Sequence, residues 1–292
     1  MSWKKVLFYC ALFAFALPVL AAAFIYVASE VYLADVDPPE TFALPIPSGK
    51  AALENGRHIA RTRGCFGCHG QQLQGQVFTD QWDWVERGVA PNLSIYAREA
   101  TPAQLEAAIR HGINANGRAM YSMPSYNWVH LSDVQVAELI AFLQSVPPVE
   151  NPLPPPRLGW AARWVLATRA DDHMAALAMK VPGLKTKPAD DPVLHRGERL
   201  AMTTCNECHG LDLRGEQTRD ILTPDLAIVA IYSEAEFRRL MKVGVTKDGR
   251  NDLGLMSLVG PDRFPAFTED ELQSLYLYLS SLADNGLAAS SK

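Results

Sequence analysis

The chain has 292 residues, 48% hydrophobic and 20% charged, with a formal net charge of −5 at pH 7. That length accommodates two domains of ordinary size, and the apolar content excludes disorder throughout. No basic stripe is present, which excludes nucleic acid as a partner.

The N-terminus predicts a membrane anchor over residues 1–30. After Lys4 and Lys5, no charge occurs from Val6 to Ala28, a run of 23 residues. A cleavable signal has an apolar core of about 7 to 15 residues, whereas crossing a bilayer takes about 20. Cleavage near the alanines at 21–23 is the alternative; the length favours an anchor that stays. Pro18 would kink it, which membrane helices tolerate. The lysines favour a cytoplasmic N-terminus, so the rest of the chain is expected in the periplasm behind a single inner-membrane span. Residues 31–47 continue a stretch with four prolines and read as a stalk.

Beyond the stalk the chain repeats itself. "GRHIARTRGCFGCHGQQLQGQ" from Gly56 returns as "GERLAMTTCNECHGLDLRGEQ" from Gly197. "APNLSIY" is matched by "TPDLAIV", "TPAQLEAAIRHGI" by "SEAEFRRLMKVGV", and "LSDVQVAELIAFLQSV" by "FTEDELQSLYLYLSSL". Each copy predicts a short helix, CxxCH, a Pro-containing loop, a helix, a Met-containing loop and a final helix. Thr101, Ser132, Ser233 and Thr268 stand three residues before Gln104, Gln135, Glu236 and Glu271, the spacing of a capping box. Apolar residues follow at helical intervals, such as Val136, Leu139, Ile140 and Leu143, or Leu272, Leu275, Tyr276 and Leu279. No alternating strand pattern stands out, so the expected class is all-α, with two tandem domains at 48–150 and 191–284. The linker, 151–190, is bounded by prolines. Its middle, from Gly159 to Met179, predicts one or two amphipathic helices packing across the repeats, with Trp160 and Trp164 arguing for order. Residues 285–292 form a tail.

Four of the five cysteines lie in the two CxxCH units: Cys65 and Cys68 before His69, and Cys205 and Cys208 before His209. Cys10 is alone in the apolar run. A disulfide framework would spread its cysteines along a short chain. A structural zinc site needs four converging ligands, and these units are 140 residues apart, each within its own repeat. A redox CxxC needs no following histidine and usually sits in a βαβ setting. A c-type haem explains every element: the thiols add to the two vinyl groups of one porphyrin, and the histidine binds iron from the same face. Two units predict two covalently bound haem c groups.

On these motifs the chain resembles class I cytochrome c modules, arranged as a membrane-anchored tandem dihaem cytochrome, over about residues 48–150 and 191–284. The resemblance implies a close crossing of first and last helices, at Gly56 with Phe142 and at Gly197 with Tyr278. It implies a loop proline on the histidine side, for which Pro91 and Pro224 are the matches. It also implies a methionine as second axial ligand, in the loop before the last helix, where a thioether favours ferrous iron. Met256 in "LGLMSLVG" fits the second repeat, while Met241 reads as core. In "GRAMYSMPSY", Met123 stands in an MP pair of the kind that family often shows. Met120 is the alternative, lying 23 residues before Leu143 as Met256 does before Leu279. His58, His111, His130, His173 and His195 read as surface or helix-end residues. Arg118 is open to a haem propionate or to solvent. Trp82, Trp84 and Trp128 wall the first haem pocket or pack the core.

Charge is uneven. Residues 191–284 carry 10 basic and 16 acidic side chains, 48–150 carry 8 and 9, and 151–190 carry 6 and 3. An acidic outer repeat steers a basic redox partner. The expected role is single-electron relay with no catalytic residue, within a membrane complex whose other members are a dehydrogenase, a quinol-oxidising complex or a terminal oxidase. One alternative is a dihaem enzyme, peroxidase-like or sulfur-compound oxidising, which needs an open axial position. Another is a subunit whose haems mainly stabilise the fold.

Overall fold

The computed structural model describes residues 3–37, 39, 42–78, 85–217 and 222–290, with side chains described as far as residue 283. It opens with helix α1 (Trp3–Ala34), long and apolar enough to cross a membrane, with Pro18 inside it. The helix runs four residues beyond the expected end of the anchor, and its last turns are not free. Ser29, Tyr32 and Leu33 are buried, and the Ala119 amide donates to the Leu33 carbonyl at 2.8 Å. The expected stalk is corrected accordingly: the helix docks on the folded body before the prolines begin. Tyr32 and Leu33 supply the apolar contacts, while Ser29 and Glu30 supply the polar ones.

The first repeat comprises α2 (Lys50–Thr62), the one-turn α3 (Cys65–His69), strands β1 (Gln76–Phe78) and β2 (Gly88–Ala90), α4 (Leu93–Glu99) and α5 (Pro102–His111). A 3-10 turn at Ser125–Trp128 and helix α6 (Asp133–Ser145) complete it. The linker folds into α7 (Trp160–Ala167) and α8 (Met174–Lys180), as the sequence predicts. The second repeat comprises α9 (Pro192–Thr204), α10 (Asn206–His209), a 3-10 turn at Leu226–Ile231, α11 (Glu234–Val243), α12 (Leu255–Arg263) and α13 (Glu269–Ser290). Strands β1 and β2 pair antiparallel with Val77 opposite Val89, so the all-α expectation becomes mostly helical. Three residues per strand are too few for a period of two to show in the sequence.

Capping explains where the helices start. The side chains of Thr101, Ser132 and Ser233 accept from the amides three residues on, and those residues' side chains reach back. Thr268 and Glu271 do the same for α13, at 3.2 and 2.9 Å. Each such cap contributes about 1 kcal/mol.

In each repeat the first and last helices cross closely. A Cβ added at Gly56 would collide with the Glu138 carbonyl and lie 2.7 Å from the Phe142 Cβ. One added at Gly197 would collide with the Ser274 carbonyl and lie 2.6 Å from the Tyr278 Cβ. Around these crossings two separate cores form. One is built from Ile59, Phe66, Leu73, Leu105, Trp128 and Ile140. The other is built from Leu200, Leu213, Phe237, Met241, Leu272 and Leu275.

Candidate haem-attachment site

Helix α3 is a single turn. It begins at Gly64, held at φ 79°, and ends at Gly70, held at φ 80°, both in the left-handed region that favours glycine. Residues three apart on a helix share a face, so the turn presents the Cys65 and Cys68 thiols together. His69 follows at the end of the same turn. Its Nδ1 lies 2.9 Å from the Pro91 carbonyl, and His209 Nδ1 lies 2.9 Å from the Pro224 carbonyl. A carbonyl only accepts, so Nδ1 carries the proton and Nε2 keeps its lone pair for a metal. Burial lowers the basicity of both rings, and the carbonyls only partly oppose it. Both imidazoles are therefore neutral, the form that ligates.

The four thiols are free. Burial pushes Cys65 and Cys208 up to about 11 and Cys205 up to about 12, and Cys68 is raised as well. A redox CxxC needs the opposite, a thiol lowered toward neutrality. Among the described residues, no three of His, Cys, Asp and Glu converge to hold a metal by themselves. The residues fit a haem better. Buried polar atoms without a protein partner sit beside the attachment points: Arg63 Nε, Thr204 Oγ1 and the side-chain amide of Asn206. Each costs about 1–3 kcal/mol if left unpaired, so they belong in a site completed by polar groups from outside the chain.

The methionines occupy distinct places. Met123 packs against the first core, which Cys65 also borders. Met120 is tied by its backbone instead: its amide donates to the Gly112 carbonyl, and its carbonyl accepts from Met174 of α8. Met256 packs against the second core with Cys205. It lies in the first turn of α12 rather than in a loop, a difference from the expected order of elements. Trp128 is buried in the first core, while Trp82 and Trp84 lie outside the described residues.

The remaining histidines all have structural partners. His58 Nε2 lies 2.9 Å from both oxygens of Glu271, His111 pairs with Glu106, and His130 meets the Pro182 carbonyl. His173 caps α8, and His195 Nδ1 lies 3.0 Å from the Thr186 carbonyl. Arg118, half-buried, holds Glu30 of α1 at 2.6 Å.

Sequence reasoning missed the meeting of the two CxxCH segments. Arg63, 3% exposed, donates to Thr62 Oγ1 at 2.7 Å and lies close to Glu271, Cys205 and Cys65. Burial weakens its hold on the proton, which the Glu271 carboxylate opposes. Arg263 of the second repeat donates to Glu207, inside the second CxxCH, at 3.1 Å. Its guanidinium also lies against Gly64, just before the first CxxCH. The one available signal was the extra residue, Gly64, that separates α2 from the first CxxCH and has no counterpart before the second.

Comparison with known proteins agrees with this geometry. Residues 53–147 match the family model described as cytochrome c. The chain is 25% identical to the gluconate 2-dehydrogenase cytochrome c subunit of Pantoea cypripedii, across 80% of this chain and 60% of that one. It is 26% identical to the cytochrome c subunit of the quinone alcohol dehydrogenase of Gluconacetobacter polyoxogenes, across 54% and 36%. To the cbb3-type oxidase subunit CcoP of Helicobacter pylori (strain 52) it is 31% identical, across 34% and 30%. The chain thus spans 60% or less of each of these relatives. Residues 53–147 thus form a cytochrome c domain, of a family that implies covalently bound haem c, and the chain is similar to cytochrome c subunits of dehydrogenases and to a cbb3-type oxidase subunit.

Proposed function

We propose that the chain is a membrane-anchored dihaem cytochrome c that relays single electrons at the periplasmic face, within a membrane dehydrogenase or respiratory complex. The observation that carries it is the paired geometry of His69 and His209, each held by a proline carbonyl through Nδ1 at 2.9 Å with Nε2 left for iron. The alignment to the gluconate 2-dehydrogenase subunit covers 80% of the chain, a stretch long enough that it must include both CxxCH units. That favours a second cytochrome c domain at 191–284 beside the one at 48–150.

In this assignment Cys65 and Cys68 hold one haem and Cys205 and Cys208 the other, with His69 and His209 as axial ligands. Met256 would supply the second iron ligand in the second repeat, its side chain lying against the second core. Met123 would take that role in the first, because its side chain lies against the same core that Cys65 borders, whereas Met120 is fixed by backbone hydrogen bonds to Gly112 and Met174. Haem c supplies reversible one-electron chemistry, Fe(III) to Fe(II), and asks no proton donor or nucleophile of the protein. The chain's part is to fix the imidazoles, cover the thioether side with apolar residues, and place positive charge where the domains meet. Arg63 and Arg263 supply that charge, and their contact with both CxxCH segments favours electron passage between the haems. The Lys4 and Lys5 pair orients the anchor with its N-terminus in the cytoplasm.

Intact mass of the mature protein tests this directly: two added macrocycles are expected, and one or none sinks the dihaem assignment. Met123→Ala should make one haem high-spin and open to carbon monoxide, while Met120→Ala should leave both low-spin. The reverse result would move the ligand to Met120. Ready carbon monoxide binding by the unmutated reduced protein would favour the enzymatic alternative.

A further inference from the structure

We propose that the linker helix α7 is a membrane-interface element, whose exposed tryptophans lie in the headgroup layer beside the anchor and hold the haem domains at a fixed height. The inference rests on α1 being a membrane span. Twenty-three uncharged residues rise about 34 Å at 1.5 Å each, slightly more than the hydrocarbon thickness of about 30 Å. If Val6 marks one boundary, the other falls near Tyr26 to Ala28.

Helix α7 is fastened at that level. Arg163 donates to Ser29 Oγ at 2.8 Å and to Glu30 Oε1 at 2.9 Å, and its guanidinium covers the Tyr26 ring at 4.1 Å. Arg118 of the first repeat grips the other Glu30 oxygen at 2.6 Å. Ala162 and Leu166, fully buried, face α1 and the first repeat. Consequently Trp160 and Trp164, four apart, point away together, 60% and 56% exposed. Ala161 and Thr168 complete that face.

Two adjacent indoles left in water on a one-charge helix are unusual for a soluble surface. They suit the boundary of a bilayer, where an amphipathic ring keeps its apolar body in the acyl region and its N–H among headgroups. Helix α1 itself carries exposed apolar side chains at this level, including Phe24 and Val27. The linker's excess of basic residues, six against three acidic, complements anionic lipid.

Nitroxide accessibility in lipid nanodiscs of mixed zwitterionic and anionic phospholipid would test it on the full chain with both haems. The CxxCH thiols are consumed as thioethers, so native Cys10 takes one label. A Cys10→Ser background then carries Trp160→Cys, Trp164→Cys or Asn251→Cys. The labels at 160 and 164 should show a several-fold higher ratio of oxygen to nickel-chelate collisions than the label at 251. If they match the label at 251 while the Cys10 label is lipid-exposed, the interface role of α7 is overturned and the anchor stands. A water-like ratio at Cys10 would overturn the anchor itself. Should a tryptophan variant fail to load haem, photoactivatable lipid on the unmutated chain decides the matter. Adducts on the peptide holding Trp160 and Trp164 support the proposal, and adducts on α1 alone refute it.

Discussion

The two repeats agree closely on one side of CxxCH and diverge on the other. After the motif, Gly70 and Gly210 share φ 80°, and Leu73 and Leu213 sit at φ 58° and 61°, a left-handed conformation rare for leucine. The Gly75 and Gly215 amides donate to the carbonyls of His69 and His209 at 2.7 and 2.9 Å. The Ser94 and Leu226 amides donate to the carbonyls of Leu73 and Leu213. Strained conformations persist only where surroundings enforce them, and here the enforcing task is the same: bringing a proline carbonyl to the histidine. Toward the methionine the first repeat has a loop and a 3-10 turn, whereas the second has helix α12. In the proposed ligand assignment, histidine geometry tolerates little variation, while a flexible thioether can be delivered from several backbones.

The comparison breaks most sharply when one repeat loses its attachment point. Cys205→Ser with Cys208→Ser should remove one haem from the intact mass and leave the second repeat largely unfolded, since binding energy at such sites is folding energy. Cys65→Ser with Cys68→Ser should do the same to the first. Circular dichroism of the surviving haem band would show whether either repeat stands without the other. Next in size come Gly56→Ala and Gly197→Ala, which push a methyl into a backbone carbonyl of the last helix. Each is expected to cost about 3 kcal/mol, near the upper end for overpacking, read as a lowered denaturant midpoint. A large loss at one glycine and none at the other would mean that the two crossings are not equivalent.

How much of this could be read in the chain follows the same division. CxxCH, the prolines after it, the capping pairs and the two glycines are short-range signals, and each corresponds to a local geometric demand. Gly56 and Gly197 came from resemblance, and the crossing they permit is present. The strands at β1 and β2 were illegible because three residues carry no period. The meeting of the two CxxCH segments was illegible because no local rule places Arg263 against a glycine 199 positions earlier. The docking of α1 was missed for a related reason: four prolines read as a tether, while the ion pairs of Glu30 are made by residues far along the chain.

A smaller effect separates the repeats at their first helices. In α9 Glu198 is 2% exposed and accepts from the Lys185 and Thr186 amides at 2.8 and 2.7 Å, anchoring the linker. Burial alone would raise its carboxyl, but the hydrogen bonds from Thr186, the Lys185 amide and Tyr278 outweigh it and hold the group below the usual range. Its contribution is therefore present above the unfolded value, about 4.3, and is lost as pH falls through the folded one. Glu198→Gln should cost about 1–3 kcal/mol near neutrality. In melts from pH 7 to pH 3, the gap to the unmutated chain should narrow below about pH 4. A gap independent of pH would mean that the carboxylate charge plays no part.

The smallest expected effect tests the one-residue asymmetry itself. Gly64 sits at φ 79°, where a side chain is strained and would overlap the Arg263 guanidinium. In the second repeat α9 runs directly into Cys205, with Thr204 standing where the first has Arg63. The extra glycine thus opens the space through which Arg263 reaches across to Gly64 while paired with Glu207. Arg263 is 15% exposed and Glu207 31%, so the pair is partly screened, and a double-mutant cycle with Arg263→Gln and Glu207→Gln should give about 0.5–1 kcal/mol. Because Arg263 touches both CxxCH segments, Arg263→Gln should also shift the two haem potentials, both downward, as loss of a nearby positive charge disfavours the added electron. A shift confined to one proposed haem would place Arg263 in the second repeat's own structure, and would leave the one-residue insertion before Cys65 without a role in the contact between the repeats.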